Sequence, residues 1–409
     1  MGLAIGNFVT KDFLVNKGFP IGDEEDVNIY GVRFEAYMDG LDENSNNLDT
    51  TGVRTYGAEN FSFVRSTITN AGRDDFTDKG AGPFRIRECV TLHDAITHEH
   101  TVVGYKGDAN WDSIKNNSSY NRMIEFPKFY YNRPTPYEFM VSSNYQDGFL
   151  PSPMHYRNGV MYDKVYVTKY RVGPDFMSKA NVSSKISTDL ATFRTGLRNI
   201  GMYVVDYPVC MSIAMLMFIK YADLNIQNII GLGHSSSTAA VNTGATESVK
   251  SQDGTVVTSL TADGSVVTLG LENWYGNLWT AVDGIFKDDS NNIYINEDIE
   301  HITSNPTNAF VGYTKVSTPC STNATNPSYV KRLALDPQFP YMMYPTECGN
   351  TIENSMNDGY WYSSTNNPTM MFLGGAWTRD SVCGPLCCYI NSPLNYANVG
   401  FAASGFFFK

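Results

Sequence analysis

Cysteine is scarce in this chain. Seven in 409 residues is too thin for a scaffold stapled by disulfides, the usual device of small secreted domains. Charge is scarce as well: Asp, Glu, Lys and Arg make up 18% of the residues, below the roughly 25% of ordinary soluble domains. The balance is one-sided, with 42 acidic residues against 30 basic ones and a formal net charge of −12. Without a compensating basic block, this argues against nucleic acid and anionic membrane surfaces as partners. The richest apolar run, Ile213 to Ile219, is far short of the ~20 residues that cross a bilayer, so no membrane insertion is expected. Met1 to Phe8 lacks the basic start and long apolar core of a signal peptide, so export by the Sec route is not expected. There is no nucleophile elbow, no P-loop and no zincin helix motif, and Gly231-Leu-Gly-His is too short for a dinucleotide fingerprint.

What is present is aromatic: 26 Tyr, 23 Phe and 5 Trp. Together with abundant Asn, Ser, Thr and Gly, this composition fits an extracellular or virion binding protein better than a metabolic enzyme. The length suggests two or three domains, or one large domain carrying insertions.

The order of elements predicts an α+β fold. Residues 1 to about 115 read as short β segments with period-two alternation, such as those beginning at Asn28 and Phe84, and no helix is expected there. Asp42 to Thr51 and Asn70 to Gly82 read as exposed loops. A boundary near Asn110 to Tyr120 would separate a small, mostly-β N-terminal domain (1–115) from a larger one (116–409). Beyond it, Met123 to Tyr131 and Lys164 to Arg171 read as strands. Two helices follow: one capped by Ser187 with Leu190, Phe193, Leu197 and Ile200 on one face, and one from Val209 to Ile219, apolar all round and therefore buried. Residues 235–269 repeat Asp253-Gly-Thr-Val-Val-Thr as Asp263-Gly-Ser-Val-Val-Thr, which suggests a hairpin insertion at the surface. Aromatic-rich strands then run to Lys409.

Two segments resemble a known family. Residues 270–284, Gly-Leu-Glu-Asn-Trp-Tyr-Gly-Asn-Leu-Trp-Thr-Ala-Val-Asp-Gly, resemble the Glu-Asn-x-x-Gly-Asn-x-Trp-x-x-x-Asp-Gly signature of C-type-lectin folds related to formylglycine-generating enzymes. Phe372-Leu-Gly-Gly-Ala-Trp, with Asn398-Val-Gly-Phe some twenty residues later, resembles the C-terminal variable region of retroelement-diversified phage tropism determinants. The blocks around Ile124, Asp147, Lys164, Val209 and Leu224 are similar to the same family, so the likeness runs from about Met123 to the C-terminus. It implies a C-type-lectin-like domain with two helices and irregular antiparallel sheets. It further implies a non-enzymatic receptor-binding protein at a phage tail-fibre tip, made in the bacterial cytoplasm, carried on the virion beside other tail proteins, and presented as a homotrimer. Its partner would be a host cell-surface protein or glycan, with residues 1–115 serving virion attachment or oligomerisation. No cofactor is implied. Where the family continues Gly-Phe with Arg, this chain has Ala402, so a core ion pair is expected to be lost or replaced.

A frame of Trp and Gly that locks the backbone leaves intervening polar side chains free to change. The expected frame is Trp274, Gly276, Asn277, Trp279, Gly374, Gly375, Trp377, Gly400 and Phe401, with Trp361. The expected receptor-binding face is Thr378, Arg379, Asp380, Ser381, Cys387, Cys388, Tyr389, Asn391, Ser392, Asn395 and Tyr396, with Cys383 among them; Tyr supplies rigid contact area and Asn and Ser supply adaptable hydrogen bonds. Ordinary turn and core residues remain the alternative at each position. Cys383, Cys387 and Cys388 do not reproduce the cysteine pair of formylglycine-generating enzymes, and the other four cysteines are scattered, so neither catalysis nor a zinc site is expected. His93, His98, Glu99 and His100 could in principle hold a metal, since His98 and His100 would share a strand face, but a polar strand end is the preferred reading and no metal is expected. The tripeptides with which C-type lectins bind calcium and sugar are absent. Two other readings remain: a structural virion protein that uses the same fold for tail or capsid assembly, and a formylglycine-generating type oxidase.

Overall fold

Short strands cannot bury their apolar faces alone, since even an isolated hairpin is marginal in water, and this determines how the first hundred residues are used. The computed structural model of the protein describes residues 29–38, 49–302, 310–323, 328–352, 355–363 and 368–409; Met1 to Phe8 and residues 42–48 of the first expected loop lie outside them. Strand β1 (Ile29–Arg33) pairs antiparallel with Glu138–Ser142 and Val53–Tyr56, within a five-stranded sheet. Strands β2 (Arg87–His93), β3 (Tyr120–Pro127) and β4 (Lys164–Thr168) lie side by side in a six-stranded sheet. Both sheets therefore draw strands from either side of residue 115, and the boundary expected there does not divide one sheet from another.

Several local expectations need correction. The run Met123 to Tyr131 is two strands, because Pro127 has no donor for the ladder and the chain passes from β3 into Tyr130–Thr135 of the other sheet. Three one-turn helices, Glu35–Met38, Asp75–Asp78 and Trp111–Ile114, occur where none was expected. The stretch Asn70 to Gly82 is only partly exposed: Phe76 is in the core, and Arg73 holds the buried carboxylate of Asp75.

Helix α1 (Leu190–Arg198) is capped by Asp189, which accepts from the Thr192 N–H at 2.8 Å, and not by Ser187, which has a positive φ of 53°. Leu190, Phe193 and Leu197 form its buried face. Helix α2 (Tyr207–Tyr221) is capped by Asp206 and buried along its whole length. It packs against β1 and Glu138–Ser142, with the Phe218 ring 5.4 Å from that of Phe139. Its one cation, Lys220, is fully enclosed and pairs with Asp74 and Asp253, each at 2.7 Å.

The repeated hexapeptides do form an antiparallel hairpin, with Gly254 opposite Val267 and Thr255 opposite Val266. Its arms, however, are buried and not at the surface. Asp253 explains why: a carboxylate satisfied by Lys220 and Tyr221 of α2 pulls the insertion into the core.

The remaining strands build a nine-stranded sheet. Strand β5 (Trp279–Lys287) is buried throughout, while β6 (Gly359–Tyr362), β7 (Thr369–Leu373), β8 (Cys388–Pro393) and β9 (Phe401–Ala402) complete its central part, with β5 pairing to β7 and β9, and β8 lying between β7 and β6. Strand β10 (Gly405–Phe408) returns to the six-stranded sheet between β4 and Tyr203–Val204. The described residues are thus mostly β, with a few helices and several antiparallel sheets.

Candidate functional site

Residues opposite one another on adjacent strands share a face, and β5 to β8 use this to build an aromatic row. Ala281 faces Phe372, Phe372 faces Tyr389, and Tyr389 faces Trp361. Trp279, two residues before Ala281, pairs with Phe401 of β9. Its ring meets Trp361 edge-on, centroids 5.5 Å apart, and Phe401 lies 4.5 Å from Phe372 and 5.6 Å from Tyr396. Above this row is a surface cleft of about 190 Å³. Trp279, Phe372 and Phe401, all buried, form its floor; half-buried Trp377, Tyr389 and Tyr396 stand around them, and Thr378, Arg379, Asn398 and Val399 form the rim. Arg379 is the only charged lining residue among the described residues. Its guanidinium carbon sits 4.7 Å from the Trp361 ring centroid, and its Nε has no hydrogen-bond partner.

The cleft wall is held by main chain. Ser237 N–H donates to Trp377 O and Asp380 N–H to Ser235 O, both at 2.8 Å, and Trp377 N–H donates to Asn277 O at 3.0 Å. Asp263 fixes the supporting strand in turn, its Oδ1 accepting from the N–H groups of Ser235 and Ser236 at 2.7 and 2.9 Å. The glycines have reasons to be glycine. Gly374 and Gly375 have φ of 94° and 78°, and a Cβ on Gly375 would lie 2.3 Å from Cys383 Sγ.

The polar residues of the 270–284 motif are clamps. Glu272 accepts from the N–H groups of Gly244 and Thr246, Asn273 bonds Val266 N and Ser265 Oγ, and Asn277 bonds both N and O of Val241. Arg171 braces the same turn, donating to the carbonyls of Asn273 and Trp274 with its guanidinium 5.5 Å from the Trp274 ring centroid. Gly276 has a φ of 71° and donates to Gly374 O.

No protein-family model and no curated protein matches the chain. Among solved structures it is similar to the I1, U1 and M1 variants of the Major Tropism Determinant. Identity is 12%, 12% and 13%, over 79% of this chain and 72%, 72% and 71% of theirs, with TM-scores of 0.30, 0.29 and 0.29.

Of the eleven residues expected on the binding face, Thr378, Arg379, Tyr389 and Tyr396 line the cleft. Asp380 and Asn395 are exposed and Ser381 and Asn391 half-buried, all four outside it. Cys387, Cys388 and Ser392 are buried, as is Cys383, and none can meet a partner. For Cys388 the reason is register: it is one residue from Tyr389 on the same strand and so points through the opposite face, against Leu373 and Tyr360. Of the expected frame, only Trp377 and Gly400 are not fully buried. Sequence reasoning used Asn398 and Val399 only as landmarks, yet both line the cleft. Asn398 Oδ1 accepts from Gly400 N–H at 2.8 Å while its Nδ2 donates to the Tyr396 hydroxyl; the Asn-x-Gly spacing is the signal for such a turn.

His93 lies beside both other histidines, its ring centroid 5.4 Å from His98 and 5.3 Å from His100, but His98 and His100 do not share a strand face. His98 has a positive φ of 58° outside the strand and contacts His93, while buried His100 stacks on Phe407 and bonds Ile200 O. Among the described residues no three His, Cys, Asp or Glu side chains converge as a metal site would require.

Proposed function

We propose that the protein is a phage receptor-binding protein, carried on the tail fibre of the virion, that contacts a host cell-surface molecule through the cleft between Trp377 and Phe401. The carrying observation is the cleft itself: half-buried Trp and Tyr side chains with a polar rim, on a rigid sheet and braced by backbone hydrogen bonds. Such a mixture is that of a recognition surface, rigid aromatic anchors beside adaptable polar groups. The sequence resemblance to phage tropism determinants supplies the biological setting. Single sites of this size bind weakly, and presentation as a homotrimer on several fibres would raise avidity through effective concentration. Attachment to other tail proteins is then assigned to residues 1–115, and the activity is binding rather than catalysis.

The test is adsorption. Thr378→Ala, Arg379→Gln and Tyr396→Ala combined should cut binding of the purified protein to host cells by at least roughly ten-fold, with a melting temperature within a few degrees of the parent. Undiminished binding to cells would overturn the reading.

A further inference from the structure

The geometry points to a single acidic sugar ring as the ligand of this cleft, the terminal residue of an anionic host-surface glycan; this rests on the receptor-binding reading and specifies its chemistry. Size is the first argument. About 190 Å³ is below the several hundred Å³ that enclose a drug-sized ligand, so the cleft takes one ring-sized group. A protein partner of ordinary affinity would instead need about 800 Å² of contact on each side.

The lining supplies the second argument. The lining combines the rings of Trp377, Tyr389 and Tyr396 with the hydrogen-bonding groups of Thr378, Arg379 and Asn398. A pyranose has the matching character, an apolar C–H face and a rim of hydroxyls. A plain hydrocarbon side chain would leave those polar groups unpaired, which costs binding.

Charge is the third. In a chain of net charge −12, the one charged group among the described residues of the cleft is a cation, and no carboxylate among them pairs with Arg379. Its guanidinium is held over Trp361, with Nε enclosed and the side chain half-exposed at the rim. A planar fork fixed in this way and not neutralised is suited to a carboxylate.

The experiment titrates the full chain by NMR with methyl glucuronide, with the methyl glycoside of N-acetylneuraminic acid, and with neutral methyl glucoside, alongside host-cell binding. At least one acidic probe should bind in the millimolar range and roughly ten-fold more tightly than the glucoside. Arg379→Gln should erase that difference, and Trp377→Ala should abolish binding of all three. Equal binding of acidic and neutral probes overturns the inference. So does no binding of any probe while Arg379→Gln still loses host-cell binding, which leaves receptor recognition standing. If cell binding survives both Arg379→Gln and Trp377→Ala, the receptor-binding role of the cleft falls and the sugar with it.

Discussion

Arg194 of α1 lies against Asp283 of β5, its Nε and Nη2 donating to the two carboxylate oxygens at 2.9 and 2.7 Å, with both side chains buried. The pair joins a helix to the strand that carries Trp279. It also bears on Ala402, where the family resemblance expects arginine: a buried cation does reach this sheet, but it comes from α1. Removing one partner strands a charge in the core, so Arg194→Met should cost about 3–5 kcal/mol. Replacing both, Arg194→Met with Asp283→Leu, should recover much of that. Urea denaturation of the two variants measures the difference.

Asp263 offers a way to disturb the cleft without touching it. Its carboxylate orders Ser235 and Ser236; Ser235 O accepts from Asp380 N–H, and the next residue, Ser237, donates its N–H to Trp377 O. Asp263→Ala should cost about 1.5–3 kcal/mol of stability, the usual range for hydrogen bonds to a charged group. It should also weaken host-cell binding several-fold, although Asp263 lines no part of the cleft. Paired measurements of melting temperature and adsorption separate the two effects.

The thiols should be inert in the native protein. Burial pushes the pKa of Cys387 and Cys388 well above the ordinary value, and that of Cys210 and Cys89 upward too, so the reactive thiolate is suppressed. Cys348 alone is not fully buried, and its pKa is raised to about 12. A thiol reagent at neutral pH should titrate less than one cysteine per chain before unfolding and all seven in guanidinium.

Two buried histidines give the protein an acid-sensitive contribution to its stability. Burial holds His155 down to about 3 and His100 down to about 4. Unfolded, both take up protons near pH 6.5, so their contribution is intact above that value and is lost as pH falls toward 4 and 3. Asp206 acts oppositely: burial raises it to about 6 despite Arg157, so its contribution is present below about 4 and lost as pH rises through 6. Burial raises Asp223, Asp253, Glu272 and Asp358 as well, and they act with Asp206. The histidine contribution is therefore read by difference: from pH 7 to 4.5 the urea midpoint of His155→Gln should fall less, or rise more, than that of the parent. Below pH 4.5, Glu247 adds to the loss: burial opposes its ionisation, but Lys169 and Arg122 hold it down to about 2.

Local pattern carried much of this structure. The apolar run of α2, the hairpin repeat and the Trp and Gly landmarks were legible because each depends on neighbours within a few residues. The sheet order was not, since one of the two partners of β1, and one of the two partners of β2, lies beyond residue 115. Nor were the clamps: Glu272 and Asn277 reach Thr246 and Val241 across a loop that no periodicity describes. Within the site, Tyr389 and Cys388 were read as equivalent because only a strand register tells inward from outward. A polar Asn398 and an apolar Val399 entered the cleft through a turn whose direction the sequence leaves open.

The placement of β10 has a kinetic consequence. Gly405 donates its N–H to Thr168 Oγ1, 237 positions earlier, and its strand is seated between two others already distant from it. Such a pairing must close a very long loop before any contact repays the entropy. Refolding from denaturant should therefore be slow, and until β10 docks, the rims of β4 and Tyr203–Val204 stay unzipped and prone to self-association.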